Sequence, residues 1–308
     1  MLRSFHHHDF PLERVLEAKR GRRVSVCLPA RNEAATVGAI VAIVRELMGE
    51  NGLVDDLIVI DDGSVDATAE VARGAGARVL AADTILPEYG PGAGKGQALW
   101  KAVHVAQGDI IAFCDADVRN FHPGFVLGLL GPLLARDDVL FVKGFYRRPL
   151  NGRVGEGGRV TELVARPLVS MLFPHLSPVI QPLAGECAAR REVLEQVPFV
   201  EGYGVDLGLM IDVAGRFGLG GIVQCDLGER VHRNRPLADL SVQAAAILHL
   251  ALTRAGARDP AARDPATRET AARGPATSVL VRPGAEPVSF ATGERPPLVD
   301  VPAHRKSA

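Results

Sequence analysis

The sequence predicts an α/β fold: a Rossmann-like, mostly parallel sheet with helices on both faces. Two observations carry that prediction. From Arg22 to about Asp117, short β-branched runs alternate with amphipathic stretches, the pattern of consecutive βα units. The strand runs are continuously apolar, as they are when helices cover both faces of a parallel sheet.

Residues 23–28 read as the first strand and Ala34–Glu50 as a helix, from apolar residues at helical spacing. Asp56–Asp61 is a second strand and Asp66–Arg73 a second helix. Ala77–Ala81, Lys95–Ala106 and Asp109–Cys114 follow as strand, helix and strand. The second half is less regular. Val139–Val142 and Phe145–Arg148 read as two strands, and a glycine run from Gly152 to Gly158 leads into a helix near Thr161. Strands are expected at Glu186–Ala189 and Gly221–Cys225, with helices at Val205–Phe217 and Leu237–Arg254.

The organisation expected is an N-terminal extension over 1–20, a main α/β domain over 21–255, a disordered linker over 256–278 and a tail over 279–308. The linker repeats Ala-Arg-Asp-Pro-Ala at 257–261 and 262–266, and a five-residue period with proline and alternating charge has no face to bury. Docking of the tail is expected to be weak, so removal of everything after Gly256 should matter little. His6–His8 read as a polar N-terminal stretch rather than a metal tract.

Composition excludes several classes. With 35 basic and 36 acidic residues the net charge is -1, so bulk charge would not hold a nucleic acid. Apolar runs such as Val37–Val44 fall far short of the roughly 20 residues a membrane helix needs. The opening residues carry no apolar segment of the signal-peptide kind. Cys27, Cys114, Cys187 and Cys225 are scattered among apolar neighbours, which suits reduced thiols in a cytoplasmic protein rather than disulfides or zinc.

In such sheets ligands bind beyond the carboxyl ends of the strands. Asp115-Ala-Asp117 stands there, after Asp109–Cys114. Residues two apart in extended backbone share a face, so both carboxylates can meet one Mg²⁺ or Mn²⁺ bridging a diphosphate. The first strand ends in Pro29-Ala-Arg-Asn-Glu33 and the second in Asp61-Asp62-Gly-Ser64-Val-Asp66, where Ser64 and Asp66 read as helix caps. Gly90-Pro-Gly-Ala-Gly-Lys95-Gly has neither P-loop spacing nor a hydroxyl residue after the lysine. It remains a glycine loop that brings one cation, Lys95, to the site.

Together the Pro-Ala-Arg-Asn-Glu, Asp-Asp-Gly-Ser-x-Asp-x-Thr and Asp-x-Asp motifs resemble nucleotide-sugar glycosyltransferases of the GT-A fold. Phe145-Tyr-Arg-Arg-Pro, Gly158-Arg-Val-Thr-Glu-Leu-Val-Ala-Arg-Pro, Gly202-Tyr-Gly-Val and His232-Arg-Asn-Arg-Pro resemble one family, the glucosyl-3-phosphoglycerate synthases, from about Ala18 to Arg254. That resemblance implies retaining transfer of glucose from UDP-glucose to the 2-hydroxyl of 3-phosphoglycerate, and a homodimer. It assigns Pro29, Ala30, Arg31, Asn32, Glu33, Asp62, Lys95, Asp115 and Ala116 to the uridine diphosphate. Tyr203, Gly204, Val205, Asp206 and Arg230 would meet the sugar and diphosphate, and Asp117 with His232 the metal. Gly158, Arg159, Val160, Thr161 and Asn234 would hold the acceptor, with the Leu183 carbonyl near its hydroxyl. One departure is Asp206, where the family more usually has Glu. Alternatives are mannosyl transfer from GDP-mannose to the same acceptor and a non-catalytic sugar-nucleotide sensor. A membrane-bound polyprenyl-phosphate transferase lacks its anchor here, and a processive synthase lacks its Gln-x-x-Arg-Trp.

Overall fold

The computed structural model of the chain describes residues 2–49, 52–92, 94–148, 158–231, 236–256 and 277–305. The chain opens with strand β1 (Arg3–His6) and helix α1 (Leu12–Lys19). Three βα units follow: β2 (Val24–Ala30) and α2 (Val37–Glu46), β3 (Asp56–Asp61) and α3 (Thr68–Gly74), β4 (Arg78–Ala81) and α4 (Gly94–Val105). Next come β5 (Ile110–Phe113), α5 (Pro123–Ala135), β6 (Phe141–Arg147), α6 (Arg166–Leu172), β7 (Cys187–Arg190) and α7 (Arg191–Leu194). The remainder is β8 (Phe199–Val200), α8 (Val205–Phe217), β9 (Ile222–Glu229), α9 (Leu237–Arg254), a hairpin of β10 (Thr277–Arg282) and β11 (Ala285–Ala291), and β12 (Glu294–Arg295).

Eight strands form one sheet in the order β1-β9-β6-β7-β5-β2-β3-β4. Neighbours run parallel, except that β7 is antiparallel to both β5 and β6. Period-two alternation feeds two cores. Cys27, Ile58, Ile60, Ile111 and Phe113 face α4 and α8, while Val26, Leu28, Leu57, Val59 and Ile110 face α2 and α5. From β2 the order runs outward through β3 and β4 on one side and reverses to β5 on the other. That switch point opens a crevice beyond the carboxyl ends of β2 and β5.

Several expectations are adjusted. The two strands expected between Val139 and Arg148 are the single β6, its register slipping between Phe145 and Arg147. The helix near Thr161 starts as a π-turn over Thr161–Ala165. Pro167 explains it: the ring withdraws the amide that an α-helix would pair with the Leu163 carbonyl. Helix α5 carries no period because it is apolar all round, with Phe125, Val126, Leu129, Leu130, Leu133 and Leu134 all buried.

Both chain ends join the main body. β1 pairs in parallel with β9, and α1 packs on α5. The histidines build the turn after β1: the His8 amide donates to His6 Nδ1 at 3.2 Å and the His6 amide to Asp9 at 2.8 Å. Weak docking of the tail is corrected by burial, since Leu298 and Val301 are fully buried. The Trp100 indole donates to the Pro296 carbonyl at 2.8 Å, Arg295 pairs with Glu201 at 2.7 Å, and β12 pairs with β8. β10 begins inside the stretch read as linker, whose residues 257–276 lie outside the described ones, as do 152–157 of the glycine run.

Candidate active site

Two loops are stitched together before any ligand group is presented. The turn after β2 needs a left-handed residue, and Asn32 takes it at φ 57°, a conformation asparagine tolerates better than most. Its amide donates to Ser64 Oγ at 3.0 Å, and its Oδ1 accepts from the Val65 amide at 2.9 Å. The Glu33 amide donates to Thr68 Oγ1 at 2.8 Å. Ser64 therefore bridges loops rather than capping its own helix. Asp61 accepts the Ser64 amide at 3.1 Å, leaving Asp62 as the carboxylate of that pair at the cavity. Burial raises the Asp62 pKa, and Arg31, 3.8 Å away, opposes it.

Beyond this turn lies a cavity of about 580 Å³, within the range of small-molecule sites. Its floor is an ionic cluster. Lys95, in the first turn of α4, meets Asp115 at 2.7 Å and Asp206 at 3.1 Å. Arg230, just after β9, meets Asp115 at 2.9 Å, Asp117 at 2.6 Å and Glu186 at 3.2 Å. Burial opposes the charge on Lys95, yet the two aspartates hold its pKa up. Burial would likewise raise Asp115, but Lys95 and Arg230 pull it well below the usual carboxylate range.

Glycines make this closeness possible. A Cβ on Gly185 would lie 2.2 Å from Asp115 Oδ2 and 2.3 Å from Lys95 Nζ, and one on Gly96 would lie 1.8 Å from the Val200 carbonyl oxygen. Only a residue without a Cβ fits either place.

Of the residues named from sequence, Pro29, Ala30, Arg31, Glu33, Asp62, Lys95, Asp115, Ala116, Asp117, Tyr203, Asp206 and Arg230 line the cavity. So do Gly158, Arg159, Val160, Thr161 and Leu183. Three do not: Asn32 is spent on the Val65 amide, Gly204 packs on Val200 and Leu250, and Val205 is in the core. His232 and Asn234 lie outside the described residues. Asp206 is no helix cap; it faces Lys95, and Lys143 holds its backbone carbonyl at 3.1 Å.

Sequence reasoning passed over four contributors. Glu186 is fully buried, and burial raises its pKa against the pull of Arg230. Tyr146 donates to it at 2.7 Å, and burial pushes the phenol up to about 12. Arg148, in the same Phe-Tyr-Arg-Arg string, reaches Tyr146 and lines the cavity. The last wall is Gln243 of α9 with Ser289, Phe290 and Ala291 of β11. Tyr146 and Arg148 stood inside a motif string and Glu186 opened an expected strand, so a search for polar residues at strand ends would have found them. No local signal marks β11.

The family model for glycosyl transferase family 2 matches residues 25–197, from β2 to just past α7. A glucosyl-3-phosphoglycerate synthase of Mycolicibacterium smegmatis is 52% identical over 246 residues, covering 79% of this chain and 80% of that protein. One from Petrotoga mobilis is 41% identical over 315 residues, covering 99% and 95%. The chain belongs to the glucosyl-3-phosphoglycerate synthases. A crystal structure of the synthase from Mycobacterium tuberculosis, in complex with Mn²⁺, UDP-glucose and phosphoglyceric acid, superposes with a TM-score of 0.83 at 40% identity. It covers 97% of this chain and 98% of its own. The mixed, mostly parallel sheet is that of the GT-A fold, as the motifs implied.

Proposed function

We propose that the protein moves glucose from UDP-glucose to the 2-hydroxyl of D-3-phosphoglycerate, with retention at the anomeric carbon. The observation that carries this reading is one continuous cavity lined by two groups of residues. The strand-end carboxylates with Lys95 and Arg230 suit a diphosphate; Gly158–Thr161, leading into a helical segment, suits the acceptor's phosphate. Pro29, Ala30, Arg31, Glu33 and Asp62 hold the uridine, and Tyr203 and Asp206 the sugar.

A divalent cation fits the donor set. Asp115 and Asp117 line one side of the cavity and offer the hard oxygens that Mg²⁺ and Mn²⁺ prefer. Asp117, with His232 as second ligand, would hold the ion, which neutralises charge on the departing diphosphate. Lys95 and Arg230 add fixed positive charge at the same place and need no reorganisation as charge develops. Asp206 is held in an ion pair with Lys95, which suits accepting hydrogen bonds from sugar hydroxyls better than attacking carbon. The Leu183 carbonyl orients the acceptor hydroxyl, which attacks from the face that UDP leaves.

The test offers 3-phosphoglycerate with UDP-glucose, GDP-mannose and other sugar nucleotides, and weighs the products by mass spectrometry. A glucosyl product formed fastest from UDP-glucose with Mg²⁺ or Mn²⁺ is expected. Preference for GDP-mannose, or binding without turnover, overturns the reading.

The working assembly is a homodimer in the cytoplasm. No described helix is long and apolar enough to cross a membrane, and the four cysteines are free and buried. Leu163 and Met171 on the helical segment after Gly158, and Leu237 opening α9, are 75%, 78% and 71% exposed; large apolar groups this bare suit burial against a second copy. Light scattering should give twice the chain mass, and Leu163→Glu with Met171→Glu should give monomer.

A further inference from the structure

Three groups converge on the Tyr146 hydroxyl. Glu186 Oε2 lies at 2.7 Å, an Arg148 Nη at 2.6 Å and an Arg230 Nη at 2.6 Å. A phenol has one proton to give and two lone pairs to receive with, and a guanidinium only donates. The proton therefore goes to Glu186, and both lone pairs accept arginine. Tyr146 and Glu186 are buried, so this order has no water to compete with it.

The two arginines held this way differ in what surrounds them. Arg230 faces Asp115, Asp117 and Glu186, and Lys95 faces Asp115 and Asp206. Among the described residues, Arg148 has no carboxylate partner; its hydrogen bond runs to the neutral phenol, and its buried Nε has none. A partly buried guanidinium without an anion is costly. Arg148 lines the same cavity as Gly158–Thr161, so an anion bound in that cavity can reach it.

The acceptor carries two anions. Its carboxylate is bonded to the carbon that bears the reacting hydroxyl, and its phosphate sits one carbon further away. Arg148 shares one oxygen atom with Arg230, which contacts Asp115 and Asp117 directly, so it is tied to the donor side of the acceptor pocket. We propose that Arg148 receives the acceptor's carboxylate, with Tyr146 and Glu186 as the positioning residues that hold its guanidinium in place. This rests on the reading above, in which Gly158–Thr161 takes the phosphate.

Titration calorimetry of the full chain with UDP and Mn²⁺ tests it, using D-3-phosphoglycerate and glycerol 3-phosphate, which lacks the carboxylate. Arg148→Ala should weaken phosphoglycerate binding about tenfold or more and leave glycerol 3-phosphate within about twofold. Arg148→Lys, which keeps the charge but not the fork, should fall between. Tyr146→Phe should show the same selective loss in a protein that still melts cooperatively, even though the lost hydroxyl lowers its melting temperature. Equal loss on both ligands, or none on either, overturns the proposal. Arg159→Ala reports on the underlying reading separately: it should weaken both ligands, and if both bind as in the wild type, the phosphate assignment fails instead.

Discussion

Asp117 gives one carboxylate oxygen to Arg230 at 2.6 Å and shares the cavity wall with Asp115. Replacing it with Asn keeps the shape and removes the charge. Asp117→Asn should lower turnover by about a hundredfold or more at saturating metal, the scale of several kcal/mol of transition-state stabilisation. Its melting temperature should stay near that of the wild type, and His232→Ala should behave alike. Near-normal turnover with an unchanged metal requirement would remove Asp117 from the metal site. Asp206 raises a finer question. Its carboxylate is one methylene shorter than the Glu that the family resemblance leads one to expect, and Lys95 holds both oxygens near 3.1 and 3.2 Å. A short arm that reaches the sugar through water accepts more geometries than a direct bond does. Asp206→Ala should therefore cut turnover strongly, and Asp206→Glu should sharpen preference for UDP-glucose over other hexose nucleotides. Strict specificity in the wild type, measured as kcat/KM across donors, would contradict this.

The last wall of the site comes from the C-terminal part of the chain. β11 contributes Ser289, Phe290 and Ala291 to the cavity wall, while the segment after it seats Leu298 and Val301 in the core beside α4. Burying those two side chains is worth about 1.5–3 kcal/mol each, a large part of the roughly 5–15 kcal/mol of a typical domain. Truncation after Gly256 should therefore lower the melting temperature by many degrees and abolish turnover. Circular dichroism melts and a UDP-release assay check both; unchanged values would mean that the tail is dispensable. Its docking was hard to read in advance, because Val279, Leu280, Phe290 and Leu298 are spaced too widely to show a period. Leu280, Val288 and Phe290 become one face only once β10 and β11 pair, while Val279 points the other way and stays exposed.

Across the whole molecule, pH acts through a histidine that the fold keeps neutral. Burial, with His8, His6 and His122 close by, lowers the His7 pKa to about 4 from 6.5. As pH falls, the unfolded chain takes up this proton first, so stability is full above about pH 6.5 and is lost progressively toward about pH 4. His7→Gln should flatten that part of the curve of melting temperature against pH. An unchanged slope would show that other groups carry it.

Sequence by itself determined the βα order from β2 to β5, the helices α8 and α9, and the cluster of strand-end carboxylates with Lys95. Each is a local pattern: apolar periodicity, strand ends, or a motif contained within ten residues. Tertiary structure alone decided what has no local pattern. β7 runs against its neighbours, α5 is buried all round, and β1 completes the sheet edge from the far end of the chain. It also decided the pairing of charges. Arg230 lies 113 residues from Asp117 and 44 from Glu186, and Arg148 joins them through one phenol oxygen. Which cation meets which carboxylate depends on where strand ends converge in space, and a hydrogen bond between distant residues leaves no trace in the spacing of either.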